Sequence, residues 1–202
     1  MKILIIPKIK ETYPGQLEYC VETKLIKFLL NIFNKPKIEI YNENLKLKNI
    51  NLIVISGGND CTSNNLEDRK RKKIDKKIFD YAIKKKIKIL AICHGAQFIA
   101  KKFKLKLSLV KNHVGFHDVK LIFNNKSFQR RVNSFHNIAI NNNYNKLVNC
   151  FAIDKNFKIE GYHIKSKKIL GLQWHPERYK NLKKLDIKLI KKFYGTNNLS
   201  SW

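Results

Sequence analysis

The chain reads as an α/β protein built on a central, mostly parallel sheet. Three observations predict this. Apolar runs at Lys2–Ile6, Asn51–Ser56 and Lys88–Ile92 are nearly continuous, as strands buried on both faces require. Between them lie stretches whose apolar residues recur at helical spacing. Strand and helix signals alternate through the first half of the chain, the pattern of parallel strands joined by crossover helices.

Each element has its own signal. Lys2 to Ile6 is a buried first strand, closed by Pro7. Leu17, Cys20, Val21, Leu25, Phe28, Leu29 and Ile32 predict a helix from about Leu17 to Phe33. Ile38 to Tyr41 is a short second strand. Asn51 to Ser56 is a third, and it runs into Gly57-Gly58-Asn59-Asp60, a turn whose glycines put no side chain in the way of a ligand. Glu67 to Lys85 predicts a helix with Ile74, Ile78, Tyr81 and Ala82 on one face and a solvated lysine-rich face opposite. Lys88 to Ile92 is the next strand; Cys93 follows at once, and Gln97-Phe98-Ile99-Ala100 reads as the start of a helix. After Lys111 the pattern changes to short alternating strands: His117 to Phe123 and Ser127 to Asn133 about an Asn124-Asn125 turn, then Leu147 to Ile153 and Phe157 to Gly161 about Asp154-Lys155-Asn156. Lys168 to Gln173 is a last strand ending in Trp174-His175-Pro176-Glu177, and Leu182 to Phe193 a closing amphipathic helix.

At 202 residues the chain fits one domain, 1–202, with a frayed tail at about 196–202. The net charge of +27 raises the question of nucleic acid. Lysine, asparagine and isoleucine are over-used together, however, and the lysines spread along the whole chain without an aromatic-plus-basic signature. No nucleic-acid partner is expected; the basic surface would attract an anionic small substrate. No apolar run reaches the length of a signal peptide core or a membrane span, so a cytoplasmic protein with no membrane partner is expected. Cys20, Cys61, Cys93 and Cys150 show no metal-ligand or CxxC spacing. His113 and His117 are four apart, but Gly115 argues against a helix and no third ligand is near in sequence; both read as structural or pocket-lining. No metal and no cofactor are expected. Oligomeric state leaves no trace in the sequence.

The chemistry starts at Cys93. A residue on a sharp strand-to-helix turn is pushed out of the sheet with its backbone near a helix N-terminus, the geometry of a nucleophile elbow. Alone, a cysteine in such a run reads as a small packing residue. Two other strand ends change that. His175 can take a thiol's proton, and Glu177 can hold the far ring nitrogen in the right tautomer. Gly57-Gly58 and the N–H that follows the cysteine, that of His94, can donate to a developing oxyanion. All lie where α/β sheets build sites, beyond the carboxyl ends of strands.

Ser56-Gly57-Gly58-Asn59-Asp60, Ile92-Cys93-His94-Gly95-Ala96-Gln97, Val132-Asn133-Ser134-Phe135-His136 and Gly171-Leu172-Gln173-Trp174-His175-Pro176-Glu177 occur in the order seen in class I glutamine amidotransferases. The chain resembles the stand-alone γ-glutamyl hydrolases of that superfamily. The resemblance implies a flavodoxin-like three-layer sandwich with a smaller antiparallel region in the C-terminal half. It also implies a cysteine-dependent hydrolase that cleaves a γ-glutamyl amide through a thioester and releases glutamate. Cys93 would be the nucleophile, His175 the base and then the acid, and Glu177 its orienter. Gly58 and His94 would supply the oxyanion donors. Gly57, Asn59, Gln97, Asn133, Ser134, Phe135 and His136 would bind substrate. Two departures stand out: Ala91 replaces the glycine that usually opens the elbow, and an HHQ-like segment reads His136-Asn137. Peptidases of the PfpI type also carry an ICHG elbow, with the histidine next to the cysteine at work, but lack the QWHPE element.

Within the family, the combination SGGND, ICHGAQFIA, NHVGFHDV, NSFHNIAI and QWHPER is most similar to γ-glutamyl-CDP-amidate hydrolases of capsule phosphoramidate biosynthesis. That implies a nucleotide-linked γ-glutamyl substrate, with Arg178, Arg130, Arg131 or Lys111 as phosphate contacts. A glutaminase subunit feeding a separate synthetase, a γ-glutamyl-GABA hydrolase and a non-catalytic binding protein stay open as alternatives. No fused synthetase domain is visible, which favours a self-contained enzyme.

Overall fold

The computed structural model describes residues 1–111 and 113–195. The expected tail at 196–202 lies outside them. The elements are β1 (Lys2–Ile6), β2 (Lys8–Tyr13), β3 (Gln16–Cys20), α1 (Thr23–Ile32), β4 (Lys37–Ile40), β5 (Leu52–Ile55), α2 (Leu66–Lys85), β6 (Lys88–Ile92), α3 (His94–Lys102), β7 (Leu107–Leu109), β8 (Gly115–Phe123), β9 (Lys126–Ser134), β10 (Ile138–Asn141), β11 (Asn149–Asp154), β12 (Lys158–Ile164), β13 (Ile169–Leu172) and α4 (Lys184–Gly195).

The main sheet runs β4-β1-β5-β6-β13-β12-β11-β8-β9. Its first five strands are parallel, and from β13 onward the neighbours are antiparallel. Alternate residues of each parallel strand face opposite layers. Ile3, Ile5, Leu52, Val54, Leu90, Ile92, Leu170 and Leu172 pack with Leu25, Phe28 and Leu29 of α1 and Leu189, Ile190 and Phe193 of α4. Leu4, Ile6, Ile53, Ile55, Ile89, Ala91 and Ile169 pack with Ile74, Ile78 and Ala82 of α2 and with Ala96, Ile99 and Ala100 of α3. The result is three layers, with both faces of the parallel strands covered, and it accounts for their uninterrupted apolar runs. Helix α2 starts where Asn65 accepts a hydrogen bond from the Asp68 N–H (2.8 Å) and ends at Lys86, which turns left-handed (φ 54°).

The helix expected from Leu17 begins only at Thr23. Leu17 and Cys20 belong to β3, which pairs with β2 in a separate hairpin. The period of a true helix continues by chance into a strand, while Pro14-Gly15 supplies a turn. The hairpin is tied down at Ile9, whose N–H donates to Asn59 Oδ1 (2.8 Å), and at Glu11, whose N–H donates to Glu67 Oε2 (2.9 Å). The short strands β7 and β10 also go beyond the sequence reading; they pair with each other, and β10 joins β12. Among the described residues no helix is long and apolar enough to cross a membrane.

Candidate active site

Register brings the site together. Ile55 of β5 lies level with Ala91 of β6, and Ile92 with Leu172 of β13. Gly57, Cys93 and His175 therefore leave three adjacent strands at the same edge. The N–H of Cys93 donates to the Leu172 carbonyl (2.7 Å), which fixes the cysteine beside the 173–175 segment.

Cys93 is the N-cap of α3 and sits at φ 49°, ψ −106°, where a non-glycine residue is strained. It is 7% exposed. The elbow requires α3 to approach β5 closely. A Cβ on Gly95 would stand 2.2 Å from the Ile55 carbonyl oxygen, so only glycine fits there.

His175 is almost wholly buried, and its Nδ1 lies 2.6 Å from Glu177 Oε1. Its other edge faces Cys93 across Gly57: a Cβ on Gly57 would lie 2.7 Å from His175 Cε1, 3.4 Å from Nε2 and 3.3 Å from Cys93 Cβ. Burial opposes a charged imidazole, but the Cys93 sulfur and the Glu177 carboxylate outweigh it and push His175 up to about 10. A base so placed can hold the proton of a neighbouring nucleophile. The Phe135 ring meets the His175 ring edge-on at 5.4 Å, and Arg178 lies 4.5 Å over Phe135.

Other expected site residues hold the site without facing it. Asn133 is expected to bind substrate; instead its Oδ1 accepts from the His175 N–H and its Nδ2 donates to the His175 carbonyl, both at 2.8 Å. Both ends of its amide are spent on positioning the base. Asn59 spends its side chain on Ile9 and Asp68. Gln97 donates through Nε2 to the Ile138 carbonyl (3.0 Å). His136 turns away toward Glu160, its Nε2 3.8 Å from Oε1. Ser134 is fully buried, and its hydroxyl has no hydrogen-bond partner among the described residues.

The imidazole of His94 is fully buried and lies away from the pocket rim. Its Nδ1 contacts the Asn59 carbonyl (2.8 Å), which can only accept, and its Nε2 lies 2.7 Å from Asp75 Oδ2. Asp75 Oδ1 accepts from Arg71 Nε (2.8 Å), and Arg71 donates to the Ser56 carbonyl (2.7 Å). Burial works against the Asp75 charge, and Arg71 and His94 outweigh it, holding the carboxyl below its usual range. This network braces the glycine turn from below and leaves the His94 ring no part beside the sulfur; its backbone N–H, at the first position of α3, stays free of intrahelical acceptors. Sequence reasoning misses Arg71 and Asp75, although charged residues on the apolar face with Ile74 and Ile78 are a readable signal. Cys61 lies against His94 (Sγ to Nδ1 3.3 Å); burial foremost pushes its thiol up, which makes it unreactive.

Two of the suggested phosphate contacts are taken. Arg130 forms a two-pronged pair with Asp186 (2.8 and 2.6 Å), and Arg178 pairs with Glu22. Arg131 and Lys111 are exposed.

Comparison with known proteins supplies the family. The family model for glutamine amidotransferase class-I matches residues 16–194. The chain belongs to the class I glutamine amidotransferase family. Within the amidotransferase family, a curated relative is the gamma-glutamyl-CDP-amidate hydrolase of Campylobacter jejuni, 36% identical over 149 residues, 72% of this chain and 70% of the relative. A glutamine amidotransferase from Thermotoga maritima superposes with a TM-score of 0.64 at 20% identity, over 87% of this chain and 76% of that one. The PurLQS structure, also from Thermotoga maritima, superposes with a TM-score of 0.62 at 20% identity, over 91% of this chain and 90% of that one. Both share the fold of this amidotransferase-family chain.

Proposed function

We propose that this amidotransferase-family chain hydrolyses a γ-glutamyl amide, and that its substrate is γ-glutamyl-CDP-amidate, giving glutamate and cytidine diphosphoramidate. The observation that carries the chemistry is the buried His175, with Glu177 on one nitrogen and Cys93 at its other edge. The relative in C. jejuni supports the substrate.

The Cys93 thiolate attacks the γ-carbonyl carbon. The N–H groups of His94 and Gly58 receive the oxyanion; one such donor is worth about 3 kcal/mol of barrier. As the C–N bond breaks, the His175 imidazolium protonates the departing nitrogen, and the diphosphoramidate leaves with that nitrogen as an uncharged NH2 group. His175, now neutral and held by Glu177, takes a proton from water as it attacks the thioester. Glutamate departs and the thiolate–imidazolium pair is restored. The Phe135 wall, half exposed beside His175, is the best-supported substrate contact. Four free cysteines suit a reducing cytoplasm.

The test is turnover of γ-glutamyl-CDP-amidate, γ-glutamyl-GABA and glutamine side by side. Fastest release of glutamate from the first supports the proposal; faster turnover of either of the others overturns the substrate. Absence of a covalent adduct with a glutamine-analogue chloroketone at Cys93 would overturn the mechanism.

A further inference from the structure

The fold supplies what the sequence around His113 and His117 lacks. Glu160 of β12 is fully buried, and three imidazoles from two segments, the start of β8 and the β9–β10 connection, surround its carboxylate. His113 Nε2 lies 3.0 Å from Oε1, His117 Nε2 3.5 Å from Oε2, and His136 Nε2 3.8 Å from Oε1. The His113 ring stands 4.2 Å from that of His117 and 4.8 Å from that of His136, centre to centre. We propose that His113, His117, His136 and Glu160 bind one divalent transition-metal ion of the zinc type, as a structural site separate from Cys93.

Three observations carry this. The first is spacing: ligands about 2.1 Å from a tetrahedral ion stand about 3.4 Å apart, and the three nitrogen–oxygen distances bracket that value. One ligand atom each from His113, His117 and Glu160 already falls within 4.8 Å of the others. The second is unmet bonding. Both ring nitrogens of His117, both of His136 and Oε2 of Glu160 are buried without a hydrogen-bond partner among the described residues. A proton shared between His113 and Glu160 would satisfy one contact and leave these orphaned, whereas a cation engages one nitrogen of each ring and the carboxylate together. The third is the donor set. Three imidazoles and one carboxylate select zinc, cobalt or nickel over magnesium or calcium, which prefer all-oxygen shells.

His113, His117 and Glu160 meet as a trio, and His136, 3.8 Å from Glu160 Oε1, closes a four-ligand shell by moving toward them, which marks a structural ion. His113 and His117 also line a cleft of about 980 Å³ with Lys111, Asp118, Asp154 and Phe157, so an ion has a route in. The bound ion would pin the start of β8, β12 and the β9–β10 connection. His136 directly follows Phe135, the residue whose ring meets His175, so the ion anchors one wall of the catalytic cleft.

The test uses the Cys93→Ser protein, so that the nucleophile does not compete, stripped with a chelator and titrated with zinc or cobalt alone. Calorimetry should give one ion per chain, cobalt should develop the intense visible bands of tetrahedral coordination, and zinc should raise the melting temperature. His117→Ala, at the partly exposed rim, and His136→Ala should each fold by circular dichroism; a tenfold or greater loss of affinity in either supports the site. If one variant fails to fold, the other decides. No saturable binding to the stripped protein, or binding that the folded variants leave unchanged, overturns the proposal.

Discussion

Replacing Gly57 by alanine should separate catalysis from stability. The added Cβ would lie 2.7 Å from His175 Cε1, whereas carbon atoms in good contact stand about 3.5–4.0 Å apart, so the ring must retreat by roughly 0.8 Å or more. It has little freedom to do so: Glu177 grips Nδ1, Asn133 holds the main chain at both ends, and Phe135 closes one side. Any retreat takes Nε2 away from Cys93. A misplacement of about 1 Å costs about 10²-fold in rate, or about 2.7 kcal/mol of barrier. The backbone at Gly57 is not left-handed, so alanine adds no backbone strain, and the stability cost is that of one overpacked contact, about 1–3 kcal/mol, a shift of about 2–12 °C that leaves the protein folded under assay conditions. Turnover of the γ-glutamyl substrate and thermal unfolding, measured on one preparation, test this. Parental turnover, or a rate loss explained by unfolding, would refute the reasoning.

Other expectations follow from the same geometry. Gly95→Ala sets a methyl group 2.2 Å from a backbone oxygen of β5 that cannot swing aside; despite about 1 kcal/mol of helix propensity gained, it should cost a net 1–2 kcal/mol or so, read from urea unfolding. Glu177→Gln removes a carboxylate that raises His175. Because the folded value, about 10, exceeds the ordinary 6.5, the imidazolium stabilises the fold fully below pH 6.5 and that contribution is lost as pH rises toward 10; the variant should lose less stability between pH 7 and 10 than the parent, and turn over far more slowly. Asp75→Asn leaves the buried Arg71 unpaired and should cost about 3–5 kcal/mol in chemical denaturation, with no direct contact to the sulfur. His94→Ala should lower stability through the same network while Cys93 still reacts with the chloroketone; abolished labelling in a folded variant would restore the neighbouring histidine as the base.

The parallel half of the sheet is legible because strands covered on both faces carry uninterrupted apolar runs, and β1, β5 and β6 do. Cys93, His175 and Glu177 are legible because strand ends in such a sheet converge. What the sequence hides has physical causes. The β2–β3 hairpin borrows the period of α1. Asn59, Asn133 and Gln97 carry side chains equally suited to a ligand or to a main-chain amide, and only coordinates show which partner each has taken. Glu160 is a single carboxylate in an apolar strand, and nothing local tells which imidazoles the turns of β8 and β9 will bring to it.

The place of β13 in the sheet has a bearing on how the protein is made. This strand lies between β6 and β12, yet it is synthesised long after β6. Until it arrives, the apolar edge of β6 has no neighbour on that side, and Cys93 has neither the Leu172 carbonyl to fix it nor His175 to activate it. On the proposed mechanism, the reactive centre of a growing chain appears only when the middle of the sheet is filled. Chains halted before Ile169 should label slowly with iodoacetamide at neutral pH, and full-length chains fast. Threading the proposed triad through a late, central strand would keep its nucleophile silent until the architecture that controls it is complete.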